Sequence, residues 1–320
     1  MSTIPFQALA CPLDGDVLHK SGSTWRCGVG HSFDIAKQGY VHLLPVQKKR
    51  SHDPGDSKEM VAARQRFLNA GHYRPIAEAV SQAALSHLAN DVPGDASADT
   101  ALSCLDAGCG EGYYLRELAK AWGEEAGETT GDGQTLAQLG VDISKWAVLA
   151  AAKQGKQAGQ QASWVVGSNA NLPVLPGTLD LVLCMFGFPV YPEFARVLKP
   201  GGVLLMVEAG PDHLRELREV IYPSLKPESA EEPQAPEGFT PLATESIRYS
   251  LDLEGVDAIA DLLAMTPHLY RTSAEGREKA AALESLTVTV DVRLSRLGRD
   301  SPKAESQEAD SPKADSPEAS

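Results

Sequence analysis

The chain has 320 residues, a net charge of −14, 42% hydrophobic and 22% charged residues, the make-up expected of an ordinary globular protein with room for one large domain and a small one. No run of about 18 apolar residues occurs, which excludes a membrane-spanning helix. Residues 1–10 lack the basic start and apolar stretch of a signal peptide, so a cytoplasmic protein is expected, and its five cysteines are expected as metal ligands or packing residues rather than disulfides. The charge is uneven. Residues 1–75 carry ten Lys or Arg against six acids, a net of +4, leaving −18 for the rest. A basic front end on an acidic body can still steer a polyanion to one face.

Residues 1–46 are expected to form a small β-rich module, with short strands at Val17-Leu18, Thr24-Trp25-Arg26 and Tyr40 to Leu44 separated by Gly, Asp and Ser. Residues 47–74 then form a basic linker, with Lys48-Lys49-Arg50, and a helix capped by Asp56 or Ser57 that carries Met60, Ala63, Phe67 and Leu68 and stops near Gly71. A second helix is expected from Ile76 to Leu88. Residues 75–298 otherwise alternate strands with helices. Strands are predicted at Leu102–Asp106, Leu136–Val141, Ser163–Val166, Leu179–Met185 and Val203–Val207. Helices are predicted at Tyr113–Trp122, Ser144–Lys156 and Glu193–Leu198, the last closed by Lys199-Pro200-Gly201-Gly202. Such alternation implies an α/β fold with a parallel sheet covered on both faces. The proline-rich stretch from Pro223 to Pro241 is expected as a loop, Val256–Leu263 as a helix and Leu286–Leu297 as a final strand pair. Residues 299–320 repeat Asp-Ser-Pro and Lys-Ala without a large apolar residue, the composition of a disordered acidic tail.

The chemistry concentrates in Leu105-Asp106-Ala107-Gly108-Cys109-Gly110-Glu111-Gly112-Tyr113-Tyr114, where a buried strand enters three glycines spaced two apart and then a helix. Glycine allows the positive φ of a tight turn and lets a ligand touch the backbone. The spacing of Gly108, Gly110 and Gly112 differs from a dinucleotide fingerprint, and a carboxylate at Asp106 suits a cationic group such as the amino group of a methionyl moiety. Asp142, at the tip of the next strand, is placed to accept the two hydroxyls of a ribose, and Ser168 and Asn169 follow the third strand where adenine contacts are expected. Phe186-Gly187-Phe188-Pro189 faces the substrate crevice at the carboxyl end of the fourth.

These features, with Ala195-Arg196-Val197-Leu198-Lys199-Pro200-Gly201-Gly202, resemble the class I methyltransferases. The segments Phe33 to Gln47, Lys49-Arg50-Ser51-His52-Asp53-Pro54-Gly55-Asp56-Ser57, Ala70-Gly71-His72-Tyr73, Gly210-Pro211-Asp212-His213-Leu214 and Met265-Thr266-Pro267 narrow the resemblance to the RlmA family of 23S ribosomal RNA guanine-N1 methyltransferases, over nearly residues 8 to 298. The resemblance implies a Rossmann-like methyltransferase sheet with a zinc-ribbon-like N-terminal module, S-adenosylmethionine as cofactor, an RNA hairpin loop as partner and a homodimer that builds the RNA cleft. It places cofactor contacts on Tyr73, on Gly110, Glu111 and Gly112, and on His213. Each has a plainer alternative: Tyr73 as packing after a helix stop, His213 as a helix-start residue.

The family's metal motif is Cys-x2-Cys followed by Cys-x3-His. Here Asp14 stands where the second Cys is expected, beside Cys11, Cys27 and His31. Asp can ligate zinc through oxygen, but Asp14-Gly15 is also a hairpin turn by itself, so a zinc site and a metal-free module both remain open. Cys104, Cys109 and Cys184 are expected as packing residues. Lys48, Lys49, Arg50, Arg64 and Arg66 are candidate phosphate contacts, and Tyr73, Phe186 and Phe188 candidate surfaces for stacking an unpaired guanine. The competing functions are methyl transfer to a small molecule or protein, and a non-catalytic cofactor-binding protein.

Overall fold

The computed structural model describes residues 2–45, 53–90, 101–125, 135–225 and 235–300. Lys48, Lys49 and Arg50 and the tail from residue 301 lie outside these residues. The N-terminal region supplies β1 (Ser2–Pro5), β2 (His19–Ser21), β3 (Thr24–Arg26), β4 (Ser32–Asp34) and β5 (Tyr40–His42), followed by α1 (Lys58–Asn69) and α2 (Arg74–Asn90). Then come β6 (Leu102–Ala107), α3 (Tyr113–Glu125), β7 (Thr135–Asp142), α4 (Lys145–Gln157), β8 (Ser163–Val166), β9 (Leu179–Met185), α5 (Tyr191–Val197) and β10 (Leu198–Ala209). The chain continues through α6 (Arg215–Ile221), β11 (Phe239–Glu254), α7 (Val256–Ala264), α8 (His268–Arg271), α9 (Ala274–Ala281) and β12 (Ser285–Arg299).

One mixed sheet runs β11-β12-β10-β9-β6-β7-β8-β5, parallel from β10 to β5 and antiparallel at β12 and β11. After β6 the chain builds outward through β7 and β8, then returns to the other side of β6 with β9. The order therefore reverses between β6 and β9, where α/β sheets open a ligand crevice at the carboxyl ends of their strands. Every residue of β6 is buried, as a central parallel strand requires. Its side chains alternate: Leu102 and Cys104 pack with α2 and α3 (Ile76, Val80, Leu115, Leu118), whereas Leu105 and Ala107 pack with α5 and the N-terminal region (Phe194, Leu9, Trp25).

The N-terminal region is sewn into this sheet rather than appended to it. β1 lies parallel to the first half of β7 and β8 parallel to the second half, so the two share one edge of that strand. β5, expected within the small module, is instead the outer strand beside β8. Only β2, β3 and β4 form a separate antiparallel sheet. Leu9, Leu18 and Trp25 join the core that holds Leu105 and Val182, so the expected boundary at residue 46 is not a break in packing.

Ser57 caps α1, its hydroxyl accepting the Met60 amide at 3.3 Å, and the helix stops where Gly71 takes φ 84°. Two expectations change. Leu198 begins a strand instead of ending a helix, with a register shift before Val203 that absorbs the Pro-Gly-Gly turn. Leu286–Leu297 is one long strand, not a pair, and its partner is β11. The signal for that partner is the alternation Ile247, Tyr249, Leu251, Leu253, which lies just past the proline-rich stretch.

Candidate functional site

The turn after β6 needs its glycines. Gly108, Gly110 and Gly112 take φ of 93°, 53° and 83°, a region that side chains rarely enter. A Cβ on Gly112 would also lie 2.7 Å from the Trp164 ring. That ring is wedged equally hard against Gly140 in β7, where a Cβ would sit 2.5 Å from it. Trp164 and Gly140 thus seat the turn from beneath, and neither was marked by the motif itself.

Asp106 is the penultimate residue of β6, with its side chain on the α2–α3 face, following Leu102 and Cys104. It is fully buried, and neither carboxylate oxygen has a hydrogen-bond partner among the described residues. Burial, followed by the nearby Asp142 charge, pushes its pKa up to about 8. A buried carboxylate without a donor is costly unless something cationic meets it. This is the chemistry expected where the ammonium of an amino-acid moiety binds.

Asp142 crowns β7 and receives two backbone amides, from Gly110 at 2.9 Å on Oδ2 and from Ser144 at 2.8 Å on Oδ1. Each oxygen keeps a further lone pair, so these bonds aim the carboxylate and leave it able to accept two hydroxyls. Burial raises its pKa, against the pull of those amides. The segment before α1 closes this end: Ser144 donates to Asp56 O at 2.7 Å, and a Cβ on Gly55 would meet Ile143 at 2.8 Å. Asn169 braces the turn, its amide donating to Ala107 O at 3.3 Å.

Across the crevice stands an aromatic wall. Tyr73 and His213 each stack on Phe186, with ring centroids 5.9 and 5.7 Å apart, and Tyr73 Oη lies 3.3 Å from His213 Nε2. His213 Nδ1 accepts the Asp291 amide at 3.3 Å, so its proton sits on Nε2 and is donated to the Tyr73 oxygen. Burial lowers the His213 pKa to about 4, keeping the ring neutral. Phe186 itself has φ 53°, a strained value for a side chain that turns the chain sharply after β9. Phe188, two residues on, is 86% exposed.

Cys11, Asp14, Cys27 and His31 come together away from the crevice, their donor atoms all within 4.8 Å of one another. Cys11 Sγ and Cys27 Sγ each lie 3.5 Å from His31 Nδ1, and Cys27 Sγ lies 3.3 Å from Asp14 Oδ2. Tetrahedral zinc, with bonds of about 2.0–2.3 Å, spaces its ligands by roughly 3.3–3.8 Å, which these contacts match, whereas His31 Nδ1 and Asp14 Oδ2, 2.8 Å apart, would part slightly around the ion. The donor set therefore fits a zinc ion. The Asp16 amide holds Asp14 Oδ1 at 3.0 Å and leaves Oδ2 facing the cluster. Gly15 takes φ 82° in the same loop, so the turn and the ligand geometry coexist at Asp14-Gly15.

Other expected residues are used differently. Glu111 points away from the crevice: it is buried, paired with Arg116 at 2.9 Å and bonded by Gln154. Arg64, expected as a phosphate contact, is tucked in by an ion pair with Asp56 and a 2.9 Å bond to Met265 O, and lies against Gly110. Arg66 makes a two-pronged pair with Asp261, 2.8 Å at its Nε. Both arginines fasten α1 to α7 and the residue after it, a role invisible without the neighbour some 195 to 201 positions away.

The strand order and the crevice beside Asp106 are those of a Rossmann-like methyltransferase sheet, and a methyltransferase-domain model matches residues 104–202. The chain is an S-adenosylmethionine-dependent methyltransferase. A second model, the N-terminal zinc ribbon of RlmA, matches residues 9–52. A protein of Micromonospora griseorubida, provisionally named a 23S rRNA (guanine-N1)-methyltransferase, is 34% identical over 90% of this chain and 96% of its own length. The 23S rRNA (guanine(748)-N1)-methyltransferase of Streptomyces fradiae is 32% identical over 90% of this chain and 94% of its own. A demethylmenaquinone methyltransferase of Oceanobacillus iheyensis is 32% identical, but over only 38% of this chain and 50% of its own length. The chain belongs to the RlmA family.

Proposed function

We propose that the protein transfers the methyl group of S-adenosylmethionine to N1 of a guanine in 23S ribosomal RNA. The observation that carries this reading is the extent of the likeness. Relatives named for ribosomal RNA match through both the zinc ribbon and the catalytic sheet, whereas the menaquinone enzyme matches only part of the chain. That pattern favours RNA over a small-molecule substrate, despite the net charge of −14.

The cofactor supplies an electrophilic methyl on a sulfonium. Asp106 would take its ammonium, Asp142 its ribose hydroxyls and Asn169 the adenine end, with Gly108, Gly110 and Gly112 admitting it against the backbone. Tyr73 and His213 would line the methyl side, so that alignment and exclusion of water do most of the catalytic work. A guanine N1 buried in a base pair is out of reach, so the base is taken unpaired or extruded and stacked. Phe186 and exposed Phe188 offer the surface for it. Lys48, Lys49 and Arg50 are assigned to backbone phosphates, and a second copy of the chain is expected to complete the cleft. Arg64 and Arg66, tied down as they are, play a smaller part in that interface.

The test is primer extension on ribosomal RNA from a strain lacking the gene, with N1-methylguanosine measured by mass spectrometry. One stop should vanish and return with the purified enzyme and cofactor. An unchanged RNA, or methylation of a small molecule alone, refutes the assignment.

A further inference from the structure

Among the described residues, Asp106 is not the only buried polar group left without a partner. The hydroxyl of Tyr114, in the first turn of α3, is buried and has no hydrogen-bond partner among the described residues. Asp106 and Tyr114 share the α2–α3 face of the sheet, and Tyr114 belongs to the same packed cluster as Cys104 and Leu115. Neither bonds to the other. Two buried polar groups left unpaired on one face of the sheet, near enough that the Asp106 charge acts on the Tyr114 phenol, point to a ligand that pairs with both.

The chemistry of that ligand follows from what Asp106 cannot do. A carboxylate that attracts an ammonium repels the carboxylate on the same carbon, so the site needs a neutral donor next to it. The glycine turn does not supply one from the amides that are accounted for. Gly108 and Cys109 amides bond to Val141 O, the Gly110 amide to Asp142 and the Gly112 amide to Cys109 O. Tyr114 is such a donor. Burial, then the neighbouring phenols of Tyr73 and Tyr113 and the Asp106 charge, hold its hydroxyl protonated.

We propose that Tyr114 reads the amino-acid end of the cofactor, its hydroxyl donating to the carboxylate while Asp106 takes the adjacent ammonium; this rests on the S-adenosylmethionine site assigned above. Tyr114→Phe keeps the ring and its edge-on contact with Tyr113, whose centroid is 5.2 Å away.

Titration calorimetry on the full chain separates the groups with three probes. Of the two amino-acid charges, S-adenosylhomocysteine carries both, decarboxylated S-adenosylmethionine only the ammonium beside its sulfonium, and 5′-methylthioadenosine neither. Tyr114→Phe should weaken S-adenosylhomocysteine roughly ten- to a hundred-fold, the range for a hydrogen bond to a charged group, and leave the other two unchanged. Asp106→Asn should weaken the first two and spare the third. Wild-type protein should itself prefer S-adenosylmethionine to its decarboxylated form by a similar factor, a measurement that needs no variant. Tyr114→Phe affecting all three probes alike, or none, overturns the proposal and leaves the cofactor site standing. A wild-type protein that binds none of them overturns both.

Discussion

The hydroxyl of Tyr73 meets His213 Nε2 at 3.3 Å, joining residues 140 positions apart across the crevice. Tyr73 follows the stop of α1, and His213 sits in the turn after β10, held by the Asp291 amide of β12. Three separate elements therefore set one donor–acceptor pair, with Phe186 stacked on both rings.

Removing only the hydroxyl should cost little. Tyr73→Phe keeps the stack and is expected to weaken S-adenosylhomocysteine by about 3- to 10-fold, one neutral hydrogen bond. Tyr73→Ala also empties a buried ring site, with a stability loss of about 3–5 kcal/mol. Calorimetry and thermal melts distinguish the two; equal losses from both variants would mean that the ring contributes nothing.

His213 links the site to pH. Its pKa falls from 6.5 to about 4 on burial, so the unfolded chain binds the proton first. The stability associated with the neutral ring is present above pH 6.5 and declines as pH falls from there to about 4. His213→Asn should flatten that part of the acid limb in denaturant titrations. An identical limb in the variant would place its origin elsewhere.

Asp106 runs the other way. With a pKa of about 8, it holds a proton at pH 7 in the ligand-free protein and must release it to meet an ammonium. Cofactor affinity should tighten up to tenfold per pH unit between pH 6 and 8, with proton release visible as a buffer-dependent binding enthalpy. The same burial makes ligand-free stability fall as pH rises from 3.8 towards 8. Asp106→Asn should remove that decline and gain stability at pH 8 while weakening cofactor binding a hundredfold or more. Wild-type affinity independent of pH in this window would contradict the orphaned carboxylate.

Zinc should copurify at one equivalent per chain. Asp14→Ala is expected to lose the ion at least tenfold faster to a chelator, and Asp14→Cys to hold it more tightly, because thiolate is the softer donor. Retention unchanged by Asp14→Ala would show that three ligands and water suffice.

Gly140→Ala, on the strand beneath the glycine turn, should destabilise the fold by about 1–3 kcal/mol through its collision with Trp164. Pairing it with Trp164→Leu should recover part of that loss. A double variant no better than the sum of its parts would deny the steric cause.

Much of this protein is legible along the chain. Strand–helix alternation, the Gly108-Gly110-Gly112 turn and the two acids that end successive strands are local patterns, imposed by backbone geometry and by the two-residue and 3.6-residue periods of strand and helix. The Cys11, Asp14, Cys27 and His31 set was equally visible, because its spacing lies within one small loop-rich stretch. What only tertiary structure decided were relationships over distance. β5 left its module for the main sheet because edge pairing with β8 satisfies backbone groups that no local signal reports. That Glu111, Arg64 and Arg66 act as clamps emerges only where Arg116 and Gln154, Asp56 and Met265, and Asp261 respectively meet them. Tyr114 shows the converse: its ring reads as an ordinary core residue, and only the packed structure reveals that its hydroxyl has no partner among the described residues.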